Sequence, residues 1–145
     1  MTVATAPPIV VVRRRIAASA AELFEAWLDP AALAHWMRPE TIQRTTARVD
    51  ARVGGRYEVI MEVDTRVIPH RGEYLMIDPP RRLVFTWNSP YTGERDTLVA
   101  VDFLAAGPDT EIVVTHQQLP EAELAAHERG WTSALEKLAA YHGGR

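Results

Sequence analysis

The sequence predicts an α+β domain in which a curved antiparallel sheet holds one long C-terminal helix. Three observations carry this. A short β-branched run opens the chain and two short helical segments follow it. Five or six strand-like segments then come in succession with no helix between them, and an apolar helical stripe closes the chain. No strand–helix–strand alternation recurs, which excludes a doubly wound parallel sheet. The meander must bury one face, and the last helix is its only sizeable amphipathic partner.

The run Ile9–Ile16 (IVVVRRRI) reads as a strand, with Arg13, Arg14 and Arg15 splayed to both faces as a solvated strand end. Ser19 and Glu22 form a capping box, which opens a helix carrying Leu23, Phe24, Ala26 and Trp27. Asp29 ends that helix, and Pro30 suits the first position of a second, running through Leu33 to Trp36 and halted by Pro39. Residues 42–53 form the next strand, and Gly54-Gly55 is a tight hairpin turn. Tyr57, Val59, Met61 and Val63 then alternate with Glu58 and Glu62, the mark of a half-buried antiparallel strand.

A further strand covers residues 66–78. Asp78-Pro79-Pro80 turns the chain and residues 82–87 return. After a loop with Pro90 and Gly93, residues 97–103 place Val99, Val101 and Phe103 on one face. Gly107-Pro108-Asp109 turns again, and residues 110–116 place Ile112, Val114 and His116 on one side. Pro120 can start the last helix, with Glu121 and Glu123 well placed against its dipole. Trp131, Leu135 and Leu138, with Ala134 beside them, form its apolar stripe, and Gly143-Gly144 ends it.

A length of 145 residues fits a single domain, residues 1–145, with a flexible N-terminus over 1–8. With 47% hydrophobic and 24% charged residues, disordered and fibrous classes drop out. The net charge of -3 lacks the basic stripe of a nucleic-acid binder. Without cysteine there is no disulfide framework, no thiolate nucleophile and no sulfur metal site. No basic, apolar leader opens the chain and no run suits a membrane span, so a cytoplasmic protein is expected.

The five histidines, His35, His70, His116, His127 and His142, show no HxH or HxxxH spacing, so no metal is expected. There is no GxSxG elbow, and Gly54-Gly55 precedes a strand where a phosphate cradle needs a helix. No cofactor is expected and no catalytic residue is assigned. His116 shares a face with Ile112 and Val114 and should point toward the helix carrying Trp131. It is either hydrogen-bonded under that helix or a polar handle in a cavity. Tyr57 and Met61 suit core or ligand contact equally. Arg71 would anchor a carboxylate or phosphate if it points inward, but parity leaves its side open because Gly72 could mark a bulge.

The order of elements, with the phrases Ala18-Ser19-Ala20-Ala21-Glu22-Leu23-Phe24-Glu25-Ala26-Trp27, Asp29-Pro30 and His35-Trp36, resembles the START-like (SRPBCC) superfamily. Within it the chain is similar to the group named after the activator of the heat-shock-90 ATPase. Further matching phrases are Val53-Gly54-Gly55-Arg56-Tyr57, Gly72-Glu73-Tyr74, Asp78-Pro79-Pro80-Arg81-Arg82-Leu83-Val84-Phe85-Thr86-Trp87, Thr115-His116 and Gly130-Trp131. The resemblance implies a helix-grip fold with a deep cavity between sheet and C-terminal helix. In the superfamily that cavity holds lipids, sterols or polyketides, and some members cyclise or dehydrate their substrates. The co-chaperones of the group carry an additional N-terminal domain, so chaperone activity is not expected to transfer.

The resemblance places Trp36 at the cavity rim, and Trp36, Trp87 and Trp131 each suit either a cavity wall or plain core. The expected ligand-binding set is therefore Trp36, Tyr57, Met61, Arg71, Trp87, His116, Trp131 and Leu135. The leading functional expectation is binding of an apolar or aromatic small molecule. A cyclase or dehydratase comes second, with His116 paired to Tyr57 or to an inward Arg71. A protein–protein adaptor, or a homodimer, comes third.

Overall fold

The structure is a computed structural model and describes residues 8–143. The expected flexible segment, apart from Pro8, and Gly144 of the closing glycine pair lie outside the described residues. The elements run β1 (Ile9–Ile16), α1 (Ala20–Leu28), α2 (Pro30–Trp36), β2 (Arg44–Val49), β3 (Arg56–Val63), β4 (Arg66–Asp78), β5 (Arg82–Trp87), β6 (Thr97–Ala106), β7 (Asp109–Gln117) and α3 (Leu124–Leu138). The strands form one antiparallel seven-stranded sheet in the order β1-β7-β6-β5-β4-β3-β2. It is the helix-grip fold, with α3 lying against the inner face of the sheet.

Local chemistry explains the boundaries. The Ser19 hydroxyl accepts from the Glu22 amide at 3.2 Å and donates to the Glu22 carboxylate at 3.1 Å, a cap worth about 1 kcal/mol. Asp29 closes α1 and caps α2, accepting from the Ala31 amide at 3.0 Å, and Pro30 stands at the first turn. The long helix begins differently from expectation. Glu121–Glu123 forms a single 3-10 turn before α3, and a π-helical turn, Ala139–Gly143, follows it. Trp131, Ala134, Leu135 and Leu138 are its buried residues, the stripe the sequence predicts.

The arginine run is taken up by ion pairs. Arg13 meets Glu111 at 3.2 Å and Arg15 meets Asp109 at 2.9 Å on the outer face. Arg14 points the other way and meets Glu136 of α3 at 3.2 Å.

The Gly54-Gly55 hairpin turn needs correction. Residues 50–55 form a longer loop that folds back on β4. The Gly54 amide donates to the Tyr74 carbonyl at 2.8 Å, and the Tyr74 amide to the Gly55 carbonyl at 2.9 Å. Gly54 has φ 83°, and a Cβ on Gly55 would stand 2.2 Å from the Asp50 carbonyl oxygen. Both glycines serve the fold-back. Nor does Gly72 mark a bulge, because the register shift lies between Tyr74 and Met76. Gly72 instead lets the backbone of Thr86 approach: an added Cβ would lie 1.9 Å from the Thr86 carbonyl oxygen.

Candidate functional site

The inner face of the sheet is set by strand alternation. On β3, Tyr57, Val59, Met61 and Val63 are buried, and on β4, Ile68, His70, Gly72 and Tyr74. Pairing of Val59 with His70 and of Met61 with Ile68 brings these rows side by side. Above them runs α3. Sheet and helix do not close fully, and a cavity of about 320 Å³ remains between them. Its inner wall is formed by Met61, His70, Trp87, Trp131 and Ala134, and its rim by the linker over residues 37–42 and by Tyr91.

That linker is clamped to α3. The Glu40 amide donates to the Ser133 hydroxyl at 2.6 Å, and the Lys137 ammonium donates to the carbonyls of Arg38 and of Glu40. Glu40 adopts φ 52° to make the turn. Gly130 also faces the cavity, and a Cβ added there would have no heavy atom within 4 Å.

Behind the wall a polar chain crosses the core. The Trp131 indole N–H donates to His116 Nδ1 at 3.0 Å, and His116 Nε2 lies 2.7 Å from the Thr97 hydroxyl. Thr97 donates in turn to the Trp87 carbonyl at 2.6 Å. An indole can only donate, so Nδ1 must be the acceptor and Nε2 carries the proton. The ring is therefore neutral. Burial, and secondarily the nearby His127, lowers its pKa to about 3. Burial likewise lowers His70 to about 4, and lowers His127, against the raising effect of Glu123. His127 Nδ1 lies 3.0 Å from the Glu123 carbonyl and 3.6 Å from its carboxylate.

The eight expected ligand residues divide. Met61, Trp87 and Trp131 line the cavity. Tyr57 lines a second, much smaller pocket of about 20 Å³ behind Trp87, and its hydroxyl donates to the Thr86 carbonyl. Trp36 is core, with its N–H on the Ala26 carbonyl at 2.9 Å and its ring against Trp27. Leu135 and His116 are fully buried and do not line the cavity. His116 thus takes the place of a residue hydrogen-bonded under the helix.

Arg71 must be corrected. It is exposed on the outer face, where the register sets it beside Glu58, because the residues of inward parity are His70 and Gly72. The pairing of His116 with Tyr57 or Arg71 as acid and base does not assemble either, since both His116 nitrogens and the Tyr57 hydroxyl are already engaged.

The sequence reading missed His70 and His127 as cavity residues. The signal for His70 was its parity with Ile68 and Tyr74, and for His127 its place four residues before Trp131 on one helical face. Among the described residues, no group of three or more His, Cys, Asp or Glu stands where it could hold a metal ion. Among the described residues, no helix is long and apolar enough to cross a membrane.

A sheet gripping a C-terminal helix around a cavity defines a START-like, SRPBCC-type protein. The chain belongs to the family described as Activator of Hsp90 ATPase homolog 1-like protein, which it matches over residues 17–143. No curated protein matches it. Among solved structures it is similar to CV1439 from Chromobacterium violaceum, at 25% identity and a TM-score of 0.83, covering 93% of this chain and 96% of that one. CalU16 from Micromonospora echinospora is 26% identical with a TM-score of 0.70, over 92% of this chain and 74% of the other. DynU16, a protein in the dynemicin biosynthetic locus, is 20% identical with a TM-score of 0.74. That match covers 94% of this chain and 49% of DynU16.

Proposed function

We propose that the protein binds an apolar or aromatic small molecule in the cavity between the sheet and α3. The observation that carries this reading is a space of about 320 Å³ between the sheet and α3, walled by Trp87, Trp131 and Met61 and open to solvent at its rim. Protein interiors are otherwise packed with few voids larger than a water molecule, and small-molecule sites begin near 300 Å³. Large, half-rigid aromatic walls suit a ring-shaped partner. The occurrence of the same fold in a protein of the dynemicin biosynthetic locus is in keeping with a small-molecule role.

Gly130 provides the test, because its Cβ position opens onto the cavity without touching anything. Gly130→Ala should raise stability by about 1 kcal/mol through helix propensity. Gly130→Phe should keep the fold and fill the space. Aromatic ligands that raise the melting temperature of the wild type in a dose-dependent way should lose that effect on Gly130→Phe. An unchanged response in a folded Gly130→Phe protein would place the ligand elsewhere.

A second reading, acid–base catalysis in the same cavity, is favoured by His127. His127 lines the cavity, and its Nδ1 lies 3.0 Å from the Glu123 carbonyl, an acceptor, which puts the proton on Nδ1 and leaves Nε2 unprotonated. A base so placed should speed the exchange of the methyl hydrogens of a bound aryl methyl ketone for solvent deuterium, followed by NMR. His127→Asn should abolish the exchange while leaving binding intact. Exchange no faster than in buffer counts against this reading.

A further inference from the structure

The chemistry of the cavity wall specifies the ligand more narrowly. Three charged side chains line the space: Glu40 and Arg66, which are exposed, and Glu123, which is half-buried beside His127. All three stand toward solvent. The deep wall carries none. There the polar groups are His70 and Trp87, both more than nine-tenths buried, with ring centroids 4.7 Å apart. Trp87 Nε1 is buried without a hydrogen-bond partner, and His70 Nδ1 is buried with none of full geometry, although the backbone of Val59 and of Ile68 lies close enough to raise the basicity of its ring.

Unsatisfied buried polar atoms are rare in folded proteins and each is costly. Two on neighbouring rings of a cavity wall form a place where an incoming polar atom gains what the protein lacks. The indole N–H can only donate, and the imidazole can donate or accept according to its tautomer. The matching group is an acceptor oxygen. That oxygen should be uncharged, because an anion drawn to this depth would lose its hydration without meeting a cation. Arg66, the cation of the rim, is exposed, with its guanidinium 3.4 Å from the Tyr91 hydroxyl.

We propose that the cavity selects a neutral, ring-shaped apolar ligand bearing a carbonyl or similar oxygen, received on the buried His70–Trp87 wall and not at a charged anchor. Both atoms are now covered by their surroundings, so the ligand must turn one ring slightly to reach them. Trp87 also borders the small pocket behind it, which gives its indole room to adjust. This inference rests on the cavity being the binding site.

Three naphthalenes of the same substitution pattern test it: acetylnaphthalene, ethylnaphthalene and naphthoic acid, with affinities taken from calorimetry or tryptophan quenching. The ketone should bind about tenfold more tightly than the ethyl compound, the gain expected of one satisfied buried hydrogen bond. The acid should bind more weakly than either. In Trp87→Phe, and separately in His70→Phe, the ratio of ketone to ethyl affinity should fall to near one, whatever either change does to the affinity of the two compounds together. The wild-type ratio stands as a measurement even if a variant fails to fold. Equal affinities for ketone and ethyl compound would overturn the inference and leave the cavity reading in place. Preference for the acid, abolished by Arg66→Ala, would overturn it in favour of a head-group site at the rim. If none of the three binds, the cavity reading falls and this inference with it.

Discussion

Gly72→Ala should cost about 4 kcal/mol or more, which is most of the stability of a domain at the low end of the ordinary range. A Cβ at this position would stand 1.9 Å from the Thr86 carbonyl oxygen, 2.7 Å from its carbon and 2.7 Å from a ring carbon of Tyr57. Two of those atoms are backbone and cannot swing aside. The third belongs to a ring pinned by its hydroxyl to the same Thr86 carbonyl. Three strands meet here: Tyr57 lies directly across from Gly72, and the Glu73 amide is satisfied by the Thr86 side chain at 2.9 Å. Relief would require β4 and β5 to separate. Urea unfolding of the purified variant, or its failure to appear in the soluble fraction, checks this. An unfolding free energy within about 1 kcal/mol of wild type would show that the strands can part cheaply.

Acid should destabilise the protein before most carboxylates titrate. His70 and His116 are neutral in the folded chain, with pKa lowered by burial to about 4 and about 3. In the unfolded chain both return to about 6.5. As pH falls below 6.5 the unfolded state binds protons that the native state refuses. Stability is therefore full above pH 6.5 and declines by about 1.4 kcal/mol per pH unit for each histidine. The decline ends where the folded residues themselves protonate, near pH 4 for His70 and pH 3 for His116. At pH 5 the two together should remove about 4 kcal/mol relative to pH 7. Denaturant titrations at a series of pH values measure the slope directly, and His70→Phe should reduce it by about half. A flat profile between pH 7 and 5 would mean that the histidines are hydrated in solution.

Much of the frame was legible in the residues because it follows from periodicity and capping. The alternation of Tyr57 to Val63, the stripe of Trp131 to Leu138, the Ser19 cap and the Asp29-Pro30 junction each point to one local structure, and the structure has them. What failed was anything that depended on how strands lie against each other. Arg71 and His70 are neighbours, and only the register with β3 decides which faces the helix. The two-residue link between β3 and β4, Asp64 and Thr65, sets that register, but its turn is marked by a positive φ at Asp64 and not by a glycine.

The rim was illegible for another reason. Residues 37–42 have no period, and their position comes from Ser133 and Lys137 on a helix far along the chain. For His116 the sequence left two states open, hydrogen-bonded under the helix or facing a cavity, and the structure has the first. A histidine on an apolar face reads the same whether its partners are protein groups or a ligand, and only the Trp131 and Thr97 contacts decide it.

The tryptophans have a consequence of a different kind. Trp36 packs on Trp27 at 4.6 Å, Trp27 on Trp131 at 6.3 Å and Trp131 on Trp87 at 5.1 Å, so all four indoles of the chain form one continuous line from the first helices to the cavity wall. Light absorbed by any of them can migrate along that line before it is emitted. The two indoles at the cavity end face whatever enters, so an absorbing or quenching guest there darkens the whole array at once. The molecule is thereby its own optical gauge of occupancy, with no label needed.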